Sequence, residues 1–308
     1  MNCKAVIRFI GRRMDRWKNF TREFGEVSHY RDTSIEDMET ALVRYKGGEV
    51  ILSKEYWDEG IAIIYLNHPE KKNAISGKMM VDLRKCLTEL ESFKAGKAVI
   101  LTSKGDNFCS GGDLDFARAS GTPQEGFFMS TIMHNVLKKF RKLPLVSVSL
   151  IHGPTLGGGA ELSVFPDFLL AADNVKLGFV QGKLGIMTPW GGTTRLRQIM
   201  GERKALQLLL ASKVFSAEEG LQLGLVSKIV NTTSRLDEAL DYVRQLTIHH
   251  SSIVRAYKTV TSHYDEEQFD KSLMLERELF HPMWGSELNK KALDKNIKHV
   301  NVKNDVNR

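Results

Sequence analysis

Cysteine is scarce in this chain of 308 residues: Cys3, Cys86 and Cys109 are the only three. An odd number, without CxxC or metal-ligand spacing, excludes a disulfide-stapled scaffold and a structural zinc site, and points to a reducing compartment with free thiols. Long apolar runs are missing too. Strand-sized stretches such as Ile61 to Leu66 fall well short of the roughly 18–20 residues that span a bilayer, so no transmembrane segment is expected. Internal repeats and low-complexity tracts are also lacking. No RNP, zinc-finger or helix-turn-helix pattern accompanies the excess of 44 basic over 37 acidic residues, a net charge of +7, which leaves nucleic-acid binding with diffuse electrostatic support alone. What is present is 42% hydrophobic content, enough for a full core in one large domain or two smaller ones.

The first 24 residues carry seven Lys or Arg, with Ile7, Ile10, Met14 and Trp17 at helical spacing. Such a basic amphipathic helix fits a mitochondrial transit peptide, a peripheral surface helix or a tail, and its low serine content argues against the first. Thr33 to Glu36 reads as a capping box opening a short helix through about Tyr45, ended by Gly47-Gly48. Residues 1–48 are therefore read as an extension, 49–233 as the core and 234–308 as a helical region with polar, charged faces.

From Glu49 the chain alternates. Val50 to Ser53 and Ile61 to Leu66 pair as strands around a turn, Gly77 to Phe93 is helical, and Ala98 to Thr102 is the next strand. Thr122-Pro123-Gln124-Glu125 opens a helix to about Arg141, stopped by Pro144; Leu145 to Ile151 is a buried strand. Phe168 to Ala172, Lys176 to Val180 and Val226 to Val230 add strands, and Ser216 to Glu219 is a further capping box.

Two glycine-rich turns stand out: Phe108-Cys109-Ser110-Gly111-Gly112-Asp113 and Gly157-Gly158-Gly159-Ala160-Glu161. Each follows a strand and lets a backbone N–H approach a ligand with no side chain in the way, and two such turns can form an oxyanion hole. Glycine at a strand-to-helix junction also serves turn geometry alone, the reading preferred for Gly111 and Gly159.

Asn67-His68-Pro69 with Asn73-Ala74, then Phe108 to Leu114, Gly157 to Glu161 with Asp167, and Pro189 to Leu196 follow one another in an order that resembles the crotonase (enoyl-CoA hydratase/isomerase) superfamily over roughly residues 49 to 305. Gly121-Thr122-Pro123, the methionine-bearing helix after it, Arg141 to Leu145 and Pro189-Trp190-Gly191-Gly192 are similar to the members of that family that decarboxylate ethylmalonyl-CoA.

The resemblance implies an α/β fold, a spiral of ββα units with a C-terminal helical oligomerisation region that builds trimers or dimers of trimers. It implies an acyl-CoA substrate, with CoA part of that substrate and no separate cofactor or metal. The oxyanion-hole N–H groups fall on Gly112 and Gly158, with Glu161 as the acid beside them. Lys72, Asn73, Ala74, Ser110, Asp113, Gln181 and Trp190 would surround the substrate, Lys71 and Lys72 meeting the CoA phosphates and Asp113 also capping the helix after its turn. The compartment implied is the cytosol, with mitochondria as the alternative from the basic start.

Hydratases of the family use two glutamates; here the second falls on Gln181, and an amide is no acid or base near neutral pH. Two reactions survive. An isomerase needs one base, which Glu161 could be, whereas loss of carbon dioxide from a 2-carboxyacyl thioester needs an oxyanion hole and a pocket holding the carboxylate out of the thioester plane, with Trp190 as its apolar wall. A buried, protonated Glu161 is then expected to bind the carboxylate or protonate the enolate. A third reading is a non-catalytic, RNA-binding relative. His152 reads as a structural histidine, Cys109 as packing, and Phe269, Leu273 and Phe280 as core or subunit interface.

Overall fold

Ile61 to Leu66 is buried at every position, which a strand achieves inside a sheet covered on both faces. The computed structural model describes residues 29–263 and 266–295; the basic amphipathic stretch read from the first 24 residues lies outside them. Strands β1 (Glu49–Ser53), β2 (Ile61–Asn67), β3 (Ala98–Ser103), β4 (Val146–Ile151), β6 (Phe168–Ala172) and β9 (Lys228–Val230) form one sheet in that order. β1 runs antiparallel to β2 and the remaining neighbours are parallel. A second sheet joins β5 (Pro154–Leu156), β7 (Lys176–Gly178) and β8 (Val214–Phe215).

The two-residue period of the strands sorts their side chains between two cores. Ala62, Ile64, Leu66, Val99 and Leu101 face the larger one, with α1 (Ile35–Val43), α2 (Gly77–Glu91), α3 (Leu114–Ala119) and α4 (Pro123–Lys142). Ile61, Ile63, Tyr65, Ala98, Ile100, Val148 and Leu150 face the smaller, which Ala239, Leu240 and Val243 of the helix at Arg235–Leu246 close. Each Val, Leu or Ile among them contributes about 1.5–3 kcal/mol on burial. The first helix is capped one residue later than the sequence suggests: Ser34, not Thr33, accepts from the Asp37 N–H, and Met38 and Leu42 enter the larger core.

After β5 come α5 (Gly158–Val164), α6 (Gly192–Met200), α7 (Glu202–Ala211), α8 (Ala217–Gln222), α9 (Arg235–Leu246), α10 (Ser251–His263), α11 (Glu266–Phe280) and α12 (Glu287–Asp294). Thr122 caps α4 with Pro123 at its first position, and Ser216 and Glu219 close a reciprocal capping box on α8, both as the sequence indicates. No helix among the described residues is long and apolar enough to cross a membrane.

The segments beyond the C-terminal ends of β2, β3 and β4 are stitched side by side, where ligands of parallel sheets bind. Ile75 N–H donates to Gly111 O at 2.8 Å and Asp113 N–H to Ile75 O at 3.0 Å, while Leu156 N–H donates to Cys109 O at 3.0 Å. Both glycine turns are thereby brought to one place.

Candidate active site

Gly111 adopts φ +112°, and a Cβ there would lie 3.1 Å from Leu156 O; a Cβ on Gly159 would fall 2.2 Å from Cys109 O. These two glycines let the turns touch, as the sequence reading preferred. Gly112 differs. A Cβ on it would meet nothing within 4 Å, so packing does not require glycine there, and its edge is open to a cavity of about 780 Å³ that Gly158 also lines. Neither the Gly112 N–H nor the Gly158 N–H has an acceptor among the described residues. Gly158 is the first residue of α5, where N–H groups lack helical partners. Two free donors beside an apolar cavity can stabilise negative charge on a carbonyl oxygen.

Trp190 seals the floor. It is 1% exposed, and a Cβ on Gly158 would come 2.5 Å from its six-membered ring. Its indole N–H has no hydrogen-bond partner among the described residues. Leu156, Met129, Ile186 and Trp284 extend the apolar wall. Trp284, whose Nε1 donates to Ser120 O at 2.8 Å, comes from the C-terminal region that the sequence reading assigned to oligomerisation.

Glu161 has no exposed surface and is absent from the cavity lining. Its Oε1 accepts from Gln181 Nε2 at 2.7 Å; its Oε2 accepts from Trp190 N–H at 2.9 Å and Gly192 N–H at 2.8 Å. Burial pushes its pKa well above the usual carboxylate range and the nearby Glu276 adds to this, while the three donors pull the other way. The carboxyl thus stands one layer behind Gln181 and Trp190, which do line the cavity. Gln181 Oε1 has no partner among the described residues. The carboxylates that do line the cavity, Asp113 and Asp115, are both held by Lys71 Nζ, at 3.0 and 2.7 Å. Asp113 also caps α3 through the Asp115 N–H, as expected.

Lys72, Ala74 and Ser110 reach the cavity. Ser110 N–H donates to Lys72 O at 3.0 Å, which fastens the lysine turn to the first glycine turn. Asn73 does not reach it: its Oδ1 accepts from His68 N–H at 2.6 Å and its Nδ2 donates to Lys104 O and Asn107 O, so the amide is used up as a bolt between loops. His152, 1% exposed, sits off the cavity against Gly105 O, its pKa lowered to about 4 by burial. Burial pushes the Cys109 thiol up to about 12, which fits packing rather than nucleophilic attack. Phe269, Leu273 and Phe280 are buried in the larger core.

The sequence reading missed Glu276. This second buried carboxylate accepts from Thr193 N–H at 3.1 Å, Thr194 N–H at 3.0 Å, Thr194 Oγ1 at 2.7 Å and the Thr188 hydroxyl. A signal existed: Phe269, Leu273, Glu276 and Phe280 follow the three- and four-residue steps of a buried stripe, with an acid in an apolar position.

A sequence model described as enoyl-CoA hydratase/isomerase matches residues 57–299. The chain is 39% identical over 260 residues to the ethylmalonyl-CoA decarboxylase of Xenopus laevis, covering 84% of this chain and 86% of that protein. To the human protein of the same name it is 36% identical over 263 residues, covering 84% and 85%. Among solved structures, an enoyl-CoA hydratase from Bacillus halodurans superposes with a TM-score of 0.73 at 24% identity over 80% of this chain and 99% of that one. An enoyl-CoA hydratase from Bacillus anthracis gives 0.65 at 26% identity, covering 74% and 89%. The paired glycine turns, the parallel sheet that presents them and these matches together place the chain in the enoyl-CoA hydratase/isomerase family.

Proposed function

We propose that the chain decarboxylates ethylmalonyl-CoA, and methylmalonyl-CoA more weakly, removing side products of carboxylation. The observation that carries this reading is an oxyanion hole with no free base among the described residues of the cavity wall: Asp113 and Asp115 are tied to Lys71, Gln181 replaces a second glutamate, and Glu161 lies behind the wall. Hydration needs two acid–base groups and double-bond isomerisation needs one at the substrate carbon. Decarboxylation needs none. The bond between the α-carbon and the carboxylate breaks, carbon dioxide leaves, and the electron pair passes into a thioester enolate whose oxygen the Gly112 and Gly158 N–H groups stabilise. A proton from solvent water then adds to the α-carbon. Trp190 supplies an apolar face that excludes water from the departing carboxylate. The names of the relatives, ethylmalonyl-CoA decarboxylases, support the same substrate.

Within this reading Glu161 anchors the wall: its carboxyl fixes the backbone at Trp190 and Gly192 and the side chain of Gln181. Lys72 at the mouth meets the CoA phosphates, while Lys71 is held by Asp113 and Asp115. Exposed Leu206 and Leu210 on α7 and Tyr257 and Val260 on α10 fit a homotrimer or a dimer of trimers, and the cytosol is the proposed compartment.

The test is incubation with a panel of ethylmalonyl-, methylmalonyl-, crotonyl- and 3-hexenoyl-CoA, with products followed by mass. Carbon dioxide loss from ethylmalonyl-CoA, fastest in the panel, is expected. Its absence, or water addition to crotonyl-CoA as the main reaction, would overturn the proposal.

A further inference from the structure

The loop from Thr188 to Thr194 carries the Trp190 floor and is gripped on both sides by carboxylates that belong to distant parts of the chain. Glu161 of α5 holds its Trp190 and Gly192 N–H groups. Glu276 of α11 holds the next two, Thr193 and Thr194, and receives the hydroxyls of Thr188 and Thr194 as well. Ser130 Oγ of α4 adds a bond to Pro189 O at 2.7 Å. α6 begins inside this knot with Gly191 as its N-cap and no side chain of Gly191 to cap it, so its first three N–H groups, Gly192, Thr193 and Thr194, all donate to the two glutamates, Thr193 sharing its bond with Thr188 Oγ1 at 3.2 Å.

We propose that Glu276 is a positioning residue for the reaction: it fixes the Thr188–Thr194 loop so that the Trp190 ring stays seated against Gly158 at the floor of the cavity. The chemistry requires a carboxylate. Thr193 N–H points at Oε1 and Thr194 N–H at Oε2, so both terminal atoms of residue 276 must accept. An amide offers one accepting oxygen and turns its N–H₂ group against one of these donors, so the side chain loses its hold either on Thr194 or on Thr193, which would keep the 3.2 Å bond to Thr188 Oγ1 alone. Glu276 is itself 3% exposed and touches no part of the cavity, so it acts only through the loop. In kinetic terms this inference rests on the decarboxylase reading; in structural terms it does not, because the seating of Trp190 can be measured without substrate.

The experiment compares wild type, Glu276→Gln and Thr188→Val in two assays. In the first, ethylmalonyl-CoA turnover, Glu276→Gln is expected to lower kcat at least about tenfold while KM changes less than about threefold, since a small misplacement at the reacting centre costs rate before it costs binding of the distant CoA. Thr188→Val, which removes one donor to Glu276, moves in the same direction by less. In the second, acrylamide quenching of Trp190 fluorescence, obtained by difference against matching Trp190→Phe versions, is expected to rise from wild type to Thr188→Val to Glu276→Gln. If Glu276→Gln does not fold, as judged by circular dichroism, Thr188→Val alone decides. Unchanged kcat together with unchanged quenching would overturn the proposal and leave Glu276 a helix cap. A wild type that releases no carbon dioxide would refute the decarboxylase reading, and the quenching series would still decide this one.

Discussion

Glu161 and Glu276, buried carboxylates from different helices, accept hydrogen bonds from consecutive N–H groups of one helix start: Gly192 donates to the first, Thr193 and Thr194 to the second. Two carboxyl groups share the positive end of α6, and burial raises the pKa of both. Trp190, which lines the cavity, lies on the loop they grip.

The role of Glu161 follows from how its substitutes can be wired. Glutamine at 161 keeps one oxygen for the Trp190 and Gly192 N–H groups and turns its amide nitrogen to Gln181, whose amide can present its oxygen in return. As a wall anchor, Glu161→Gln retains ethylmalonyl-CoA turnover within about fivefold of wild type, while Glu161→Ala loses roughly a hundredfold or more, the scale of a misplaced reacting group. Steady-state kinetics on both variants checks this. Turnover abolished equally in Gln and Ala would make Glu161 the proton donor instead.

The glycines of the two turns separate into distinct outcomes. Gly112→Ala has open space for its methyl, so its melting temperature is expected to stay within about 2 °C of wild type, whereas kcat falls about 10²–10³-fold as the methyl crowds the oxyanion donor. Gly158→Ala pushes against the Trp190 ring and is expected to cost about 1–3 kcal/mol. Gly159→Ala strikes the Cys109 carbonyl, a backbone atom that cannot swing aside, and is expected to be the least stable of the three. Thermal melts beside turnover measurements distinguish these cases; equal loss of stability in all three would refute the assignment.

Acid sensitivity has a specific source in His152. Its folded pKa of about 4 lies below the 6.5 of a free imidazole, so the neutral ring is the stabilising form. Its contribution is complete above pH 6.5 and is lost as pH falls toward 4, at about 1.4 kcal/mol per pH unit. His152→Gln, with no proton to take up, is expected to show a flatter decline over that window in urea unfolding followed from pH 7 to 4. A parallel decline would contradict the assignment. The two buried glutamates act in the opposite sense: their raised pKa values give stability that is complete below 4.5 and fades as pH rises through the folded values.

What the sequence made legible were features written in neighbouring residues. The Thr122 and Ser216 caps and the paired glycine turns needed only local chemistry and spacing, whereas Gln181 in place of a second acid was legible through the family resemblance. The start of α6 was hidden because its cap is supplied by Glu161 and Glu276 across the fold, while the local Gly191-Gly192 reads as a loop. Asn73 looked like a site residue from its motif, yet its amide is spent joining Lys104, Asn107 and His68, contacts that two separate loops make together. Trp284 was likewise out of reach, since only the return of the chain after α11 brings it to the cavity.

The central claim is that the hole between Gly112 and Gly158 holds an enolate made by loss of carbon dioxide. Turnover of carboxyl-¹³C ethylmalonyl-CoA in D₂O tests it most directly, with the gas and the thioester product both analysed by mass. The account predicts labelled carbon dioxide and butyryl-CoA carrying one deuterium at its α-carbon. Recovery of ethylmalonyl-CoA with its label intact would contradict it.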